Sequence, residues 1–228
     1  MKHFPGAVAL LFVASTAAAQ VGHAPERSPF HDIEGGQELT LFAGHFNALA
    51  DPVGVAPKSG PVGGLLYQVH VGGPVELMVR YAQAHTTRMA LNPVIGKATR
   101  SLGSHDARLS MYDLDIGLNL TGMKSYHHIV PVVSFGGGVV SCTCSVDGDP
   151  FNFGTPFAIS LGAGLRYVPG GHFQIRVDVN DYLYQLHYPA AYYVNSADNT
   201  PVAEQGTARA FWKNNPTLTI GISRLFFR

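Results

Sequence analysis

The sequence predicts an all-β protein, an eight-stranded antiparallel up-and-down transmembrane β-barrel, and three observations carry that expectation. Apolar residues recur with a period of two, and no long window fits the 3.6-residue period of a helix. Short and long connections between the strand candidates alternate strictly. Charged residues make up only 13% of the 228-residue chain, about half of the roughly 25% usual for a soluble globular domain.

Taken from the N-terminus, the chain first reads as an export signal. Lys2 and His3 precede the apolar run 7–14, and Ala17-Ala18-Ala19 stands before Gln20. That order of charge, apolar run and small residues is a secretory signal peptide over 1–19. No Cys lies near the cleavage point, which argues against a lipidated product. Residues 20–37 carry Pro25, Pro29 and Gly35-Gly36 without periodicity and read as an extended leader. The remainder, 38–228, is the expected outer-membrane β-barrel.

The eight strand candidates are 38–46, 63–71, 75–85, 108–120, 128–140, 157–167, 172–184 and 217–227. In the third, Val75, Leu77, Val79 and Tyr81 alternate with Glu76, Met78, Arg80 and Ala82. In the fourth, Tyr112, Leu114, Ile116, Leu118 and Leu120 oppose Met111, Asp113, Asp115, Gly117 and Asn119. The sixth sets Ile159, Leu161 and Leu165 against Ser160, Gly162, Gly164 and Arg166, and the seventh sets Ile175 and Val177 against Arg176 and Asp178. Tight connections (72–74, 121–127, 168–171) alternate with long ones (47–62, 86–107, 141–156, 185–216). An antiparallel meander puts every second connection at one end, so one end has tight turns and the other long loops, as in outer-membrane barrels. The strand lengths suit a tilted bilayer crossing, which takes about nine to eleven residues.

Lipid offers no partner for a backbone amide or carbonyl, so a β structure there must close and turn its apolar face outward. The opposite face then carries Glu76, Arg80, Asp113, Asp115, Arg166, Arg176 and Asp178. These form an expected lumen charge network in which Arg–carboxylate pairing offsets the cost of burial. Glycines 117, 136, 138, 162, 164 and 221 would make room for it. An ion-selective pore lining is the alternative for the same residues.

Other chemistry is poorly supported. Fifteen Lys and Arg balance fifteen Asp and Glu, which leaves no basic footprint for nucleic acid. No mature apolar run reaches the length of a spanning helix. Cys142 and Cys144 are candidates for a loop disulfide, whereas a zinc site needs about four ligands and the loop supplies no neighbouring His. No metal or cofactor site is expected. His127-His128 should flank a tight turn. Ser110, Ser134 and Ser160 lack a nucleophile signature, since Gly-x-Ser-x-Gly is absent, and no enzyme is expected. The glycine runs 136–138 and 162–164 lie inside strands and do not read as phosphate loops. Tyr182, Tyr184, Phe211 and Trp212 fit an interfacial girdle, and Tyr192 and Tyr193, farther along the last loop, fit an adhesive surface.

The segment Ser160-Leu161-Gly162-Ala163-Gly164-Leu165-Arg166-Tyr167, the following Phe173-Gln174-Ile175-Arg176-Val177-Asp178, and the terminal Leu218-Thr219-Ile220-Gly221-Ile222-Ser223-Arg224-Leu225-Phe226-Phe227 resemble the small bacterial outer-membrane β-barrel proteins, the OmpA-transmembrane and opacity-like group. The resemblance covers 38–228. It implies localisation in the cell outer membrane and contact with its lipid. It also implies a C-terminal signal for the barrel assembly machinery, carried here by Phe226 or Phe227, although Arg224 and Arg228 depart from the pattern. The role it implies is structural, or interaction with a surface ligand through the long loops. A small pore or solute channel is one alternative. A secreted soluble β-barrel binding protein is another, and it requires Leu114, Ile116, Leu118, Ile159, Leu161 and Leu165 to point inward.

Overall fold

The computed structural model describes residues 28–33 and 36–226. The expected signal peptide, most of the leader, Phe227 and Arg228 lie outside those residues. The strands are β1 (Phe30–Asp32), β2 (Gln37–Phe46), β3 (Gly60–Gly72), β4 (Val75–Leu91), β5 (Ser101–Asn119), β6 (Lys124–Tyr126), β7 (Ile129–Thr143), β8 (Phe157–Tyr167), β9 (Phe173–His187), β10 (Ala210–Lys213) and β11 (Pro216–Phe226).

The expected eight-stranded barrel is therefore corrected. Among the described residues the chain forms a single sheet of eleven strands. Three short strands account for the difference. β1 lies in the segment read as leader and pairs with β6, which lies in the segment read as a turn, Phe30 opposite Tyr126. Neither has the length to show a period of two. β10 is separated from β11 by Asn214 and Asn215 and pairs with the outer end of β9. Asp181 holds that break: its carboxylate accepts from Asn215 N at 2.8 Å and Asn214 Nδ2 at 3.2 Å.

All pairings are antiparallel. β11 is hydrogen-bonded to β9 along one edge and to β2 along the other. β2, β3, β4 and β5 pair in chain order, and β5, β7, β8 and β9 continue the sequence. The first and last of the long strands, β2 and β11, thus meet, and Thr40 and Ser223 share a buried hydrogen bond of 2.8 Å across them. At the tight connection between β3 and β4, Gly73 has φ +55°, a left-handed conformation that glycine adopts without steric cost.

β4 and β5 run 17 and 19 residues, so the expected long loop 86–107 shrinks to 92–100. The pairing continues as far as Leu91 opposite Ser101. Above Tyr81 and Tyr112 the outward positions are Gln83, His85 and Thr87 on β4 and Ser110, Arg108 and Asp106 on β5. Polar residues there erase the apolar alternation that marks a strand in a sequence.

Alternation elsewhere sorts the side chains into two faces. Leu114, Ile116, Leu118, Leu161, Leu165, Leu218, Ile220 and Ile222 are exposed on the outer face. The inner face buries a hydrophobic core of Phe46, Leu109, Met111, Tyr184, Leu186, Phe151 and Phe153 among others, together with an unusual number of charged groups. A soluble protein rarely exposes a continuous apolar surface of that extent.

Candidate functional site

Strand parity places all seven residues of the expected charge network on the inner face, each nearly or wholly buried. They fall into two groups. In the first, Arg166 Nη1 contacts Glu76 Oε1 at 2.9 Å and Oε2 at 3.1 Å, with Glu38 Oε2 at 3.6 Å. Gln68 Nε2 donates to Glu38 at 3.1 Å and to Glu76 at 3.2 Å, and its carbonyl accepts from Arg176 Nη1 at 2.5 Å. Arg176 forks onto Asp178 through Nε at 2.6 Å and Nη2 at 2.9 Å. A planar guanidinium matches a carboxylate in this two-bond geometry. Asn119 Nδ2 donates to Glu76 Oε1 at 3.0 Å.

The second group lies further along the strands. Arg80 Nη1 stands 3.6 Å from Asp113 and 3.7 Å from Asp115. Tyr182 Oη accepts from Arg80 at 3.3 Å and donates to Asp113 at 3.0 Å, and Ser160 Oγ donates to Asp115 at 3.2 Å. Glu38, Gln68, Ser160 and Tyr182 were not among the expected network residues. The signal was available for Tyr182, because it shares parity with Gln174, Arg176 and Asp178.

Tyr182 and Tyr184 do not form a girdle: both are buried inside. Proximity to a strand end does not override the face that alternation assigns. Trp212 is exposed, and Phe211 is half-buried against Tyr188, with ring centres 4.8 Å apart.

Beyond the charged groups, the outer connections fold over the sheet. Arg88 Nη1 meets Asp149 Oδ2 at 2.7 Å, with neither side chain reaching solvent. Arg88 Nε donates to Cys144 O at 2.6 Å. Asp149 also accepts from Tyr192 Oη at 2.5 Å and from the amides of Leu91 and Phe151. Tyr192, expected as an adhesive surface residue, is therefore wholly buried, because its hydroxyl has a carboxylate partner beneath it. Tyr193 is half-buried. Tyr188 Oη donates to Asp51 Oδ2 at 2.7 Å, and Asp51 in turn gathers the amides of Gly54, Val55 and Ala56. Connections 47–59, 144–156 and 188–209 are thus joined.

Titratable groups in these outer connections, and Lys213 at the end of β10 against one of them, reflect their surroundings. Burial pushes the Lys213 ammonium down to about 8, against a weaker opposing pull from Asp51, and its Nζ donates to Pro57 O at 3.0 Å. Hydrogen bonds from Ser196 and Thr200 hold Asp198 well below the usual carboxylate range. Burial and the bond to Asp149 raise the Tyr192 hydroxyl.

Cys142 lies in β7 one residue before its end at Thr143, Cys144 lies just beyond the strand, and their sulfurs are bonded. His127 and His128 occupy the turn between β6 and β7, and the His128 ring stacks on His31 with centres 4.5 Å apart. Among the described residues no three His, Cys, Asp or Glu side chains converge on a metal position. Phe226 lies at the end of β11 beside Arg224, whose guanidinium is 5.3 Å from the Phe226 ring centre.

No family model matches the chain, and no curated protein does. Solved structures do match. The chain is similar to Neisserial surface protein A, with a TM-score of 0.56 and 10% identity over 84% of this chain and 97% of that one. It is also similar to the outer membrane protein OprG from Pseudomonas aeruginosa, with a TM-score of 0.52 and 12% identity over 88% of this chain and all of that one. The likeness is one of fold and spans nearly the whole length of both relatives. The chain is a small β-rich protein of the outer-membrane protein type in fold.

Proposed function

We propose that this chain is a non-enzymatic outer-membrane surface protein whose role is structural or lies in presenting its outer connections to a surface ligand. The observation that carries the reading is the pairing of an exposed apolar face with an inner face filled by ion pairs and capped by joined connections. The fold shared with a surface protein and an outer membrane protein supports the same location. Exposure of Leu114, Ile116, Leu118, Leu161 and Leu165 speaks against a soluble binder, whose apolar face must turn inward.

In this reading residues 1–19 are removed on export, the leader follows from Gln20, and the sheet from residue 38 contacts lipid. The assembly machinery would read the terminal aromatics, Phe226 and Phe227. The packed network of Glu76, Arg80, Asp113, Asp115, Arg166, Arg176 and Asp178 acts as a plug rather than a conducting lining. The Cys142–Cys144 bond braces the outer end of β7 in an oxidising compartment.

Planar bilayer recordings with the purified chain test this function. No channel events are expected across a wide voltage range, and the chain should fractionate with the outer membrane and begin at Gln20. Steady ion conductance sensitive to Arg80, Arg166 or Arg176 substitution would overturn the plug in favour of a pore.

A further inference from the structure

We propose that a cavity between connection 47–59 and the end of β10 binds a small aliphatic monocarboxylate, its carboxylate on Lys213 and its chain along apolar walls. The cavity has a volume of about 420 Å³, within the range of small-molecule sites. Ala48, Leu49, Ala56 and Pro57 line it, together with Asp51, Lys58 and Lys213. This guest gives a chemical class to the surface ligand of the proposed function, a reading on which it depends only for the side of the membrane it arrives from.

Lys213 is the anchor. It is only 3% exposed, and its Nζ donates to Pro57 O at 3.0 Å. Its side chain makes no other hydrogen bond and no ion pair among the described residues. An ammonium carries three N–H donors, so two are left over, and a buried charge without a counter-ion is unfavourable. That cost shows in the descent of the ammonium to about 8, which the pull of Asp51 does not offset. Asp51 is held to other partners: its two oxygens accept from the amides of Gly54, Val55 and Ala56 and from Tyr188 Oη. The same bonds fix one wall of the cavity, and Ala48 N donates to Ser59 Oγ at 3.0 Å on another. The site is thus formed before a ligand arrives, as small-molecule sites usually are.

Charge and wall chemistry select the guest. The charged side chains lining the cavity are Lys58 and Lys213 against Asp51, an excess of one positive charge. A monoanion cancels it, whereas a dianion such as a phosphate monoester overshoots and faces Asp51. Water can accept from the spare N–H groups but brings no charge. A carboxylate offers one oxygen to each of them, and such charge-assisted bonds are short and strong. A purely apolar guest would leave Lys213 unanswered. The aliphatic chain has its own partner in Leu49, which is 50% exposed at the cavity and gains from being covered.

The test is calorimetric titration of the purified chain, in a non-ionic detergent at neutral pH, with sodium hexanoate, and with hexanamide and hexyl phosphate run in parallel. Saturable binding of a single hexanoate per chain is expected, with hexanamide and hexyl phosphate each weaker by ~10-fold or more. Lys213→Met should weaken hexanoate ~10-fold or more and bring it level with hexanamide. Leu49→Asp sets a second carboxylate at the cavity from an exposed position and should weaken hexanoate as much, which keeps the test readable if Lys213→Met fails to fold. Absence of hexanoate binding, equal binding of hexanamide, equal or tighter binding of hexyl phosphate, or hexanoate binding unchanged in either variant would overturn the proposal. None of these outcomes bears on the outer-membrane location or the plug, which fractionation and bilayer recordings test separately.

Discussion

Arg88 and Asp149 lie 2.7 Å apart, and neither side chain reaches solvent. The pair ties the outer end of β4 to connection 144–156, and Tyr192 adds connection 188–209 to the same carboxylate. Removing one partner of a buried pair strands the other charge, which costs about 3–5 kcal/mol. Asp149→Ala should therefore lower unfolding stability by about that amount and speed limited proteolysis within 144–156 and 188–209. Tyr192→Phe removes one hydrogen bond and should cost about 1–2 kcal/mol, with the proteolytic change confined to 188–209.

Glu76 and Arg166 should behave as a coupled unit. Arg166→Met alone leaves Glu76 with Gln68 and Asn119 but no cation, and Glu76→Gln alone leaves Arg166 with only Glu38 at 3.6 Å. Each should destabilise by about 3 kcal/mol. The double variant should be less harmful than the sum of the two by ~1 kcal/mol or more in urea titrations, the non-additivity expected of residues in contact.

Lys213 sets a pH dependence on the alkaline side. Its ammonium ionises at about 8 in the folded chain against 10.5 ordinarily, so the folded state holds that proton less tightly than the unfolded state. Between those values the unfolded chain carries more protons, and stability should rise with pH. The penalty is fully present below pH 8 and gone above 10.5. The full change is on the order of 3 kcal/mol. Unfolding curves from pH 7 to 11 should show the rise, and Lys213→Met should flatten it.

Gly138 is a position where the strand tolerates no side chain. An added Cβ would overlap the carbonyl oxygen of Tyr112 on β5, a backbone atom that cannot rotate away. At Gly137 the nearest obstacle is the Phe157 ring, which can swing. Gly138→Ala should therefore sharply reduce the heat-resistant folded band on gel electrophoresis, whereas Gly137→Ala should leave most of it.

Much of the inner face was legible because parity is a strong rule: from Val75 to Tyr81, or from Phe173 to Val179, every second residue is apolar, and the charges between must face the other way. The same rule carried a little further would have moved Tyr182 and Tyr184 inside. An aromatic near a strand end also fits an interfacial girdle, and at Tyr182 and Tyr184 that local cue opposes the parity that buries them. β1, β6 and β10 were not legible because three or four residues carry no period. The outer cap was hidden for a different reason. Arg88, Asp149 and Tyr192 are separated by long stretches of sequence, and nothing local to any one of them marks the other two.

The hydrogen bond between Thr40 and Ser223 spans 183 positions of the chain, and so does the ladder around it. β2 emerges first of the long strands during synthesis and must wait for β11 before its outer edge is covered. An exposed strand edge is a template for pairing with other chains, and contacts between remote positions form slowly. Until the last residues arrive the chain is an open ribbon with two sticky borders. Loss of the residues of β11 should therefore leave the edges of β2 and β9 open and divert the protein to aggregation and degradation rather than yield a slightly shorter functional molecule.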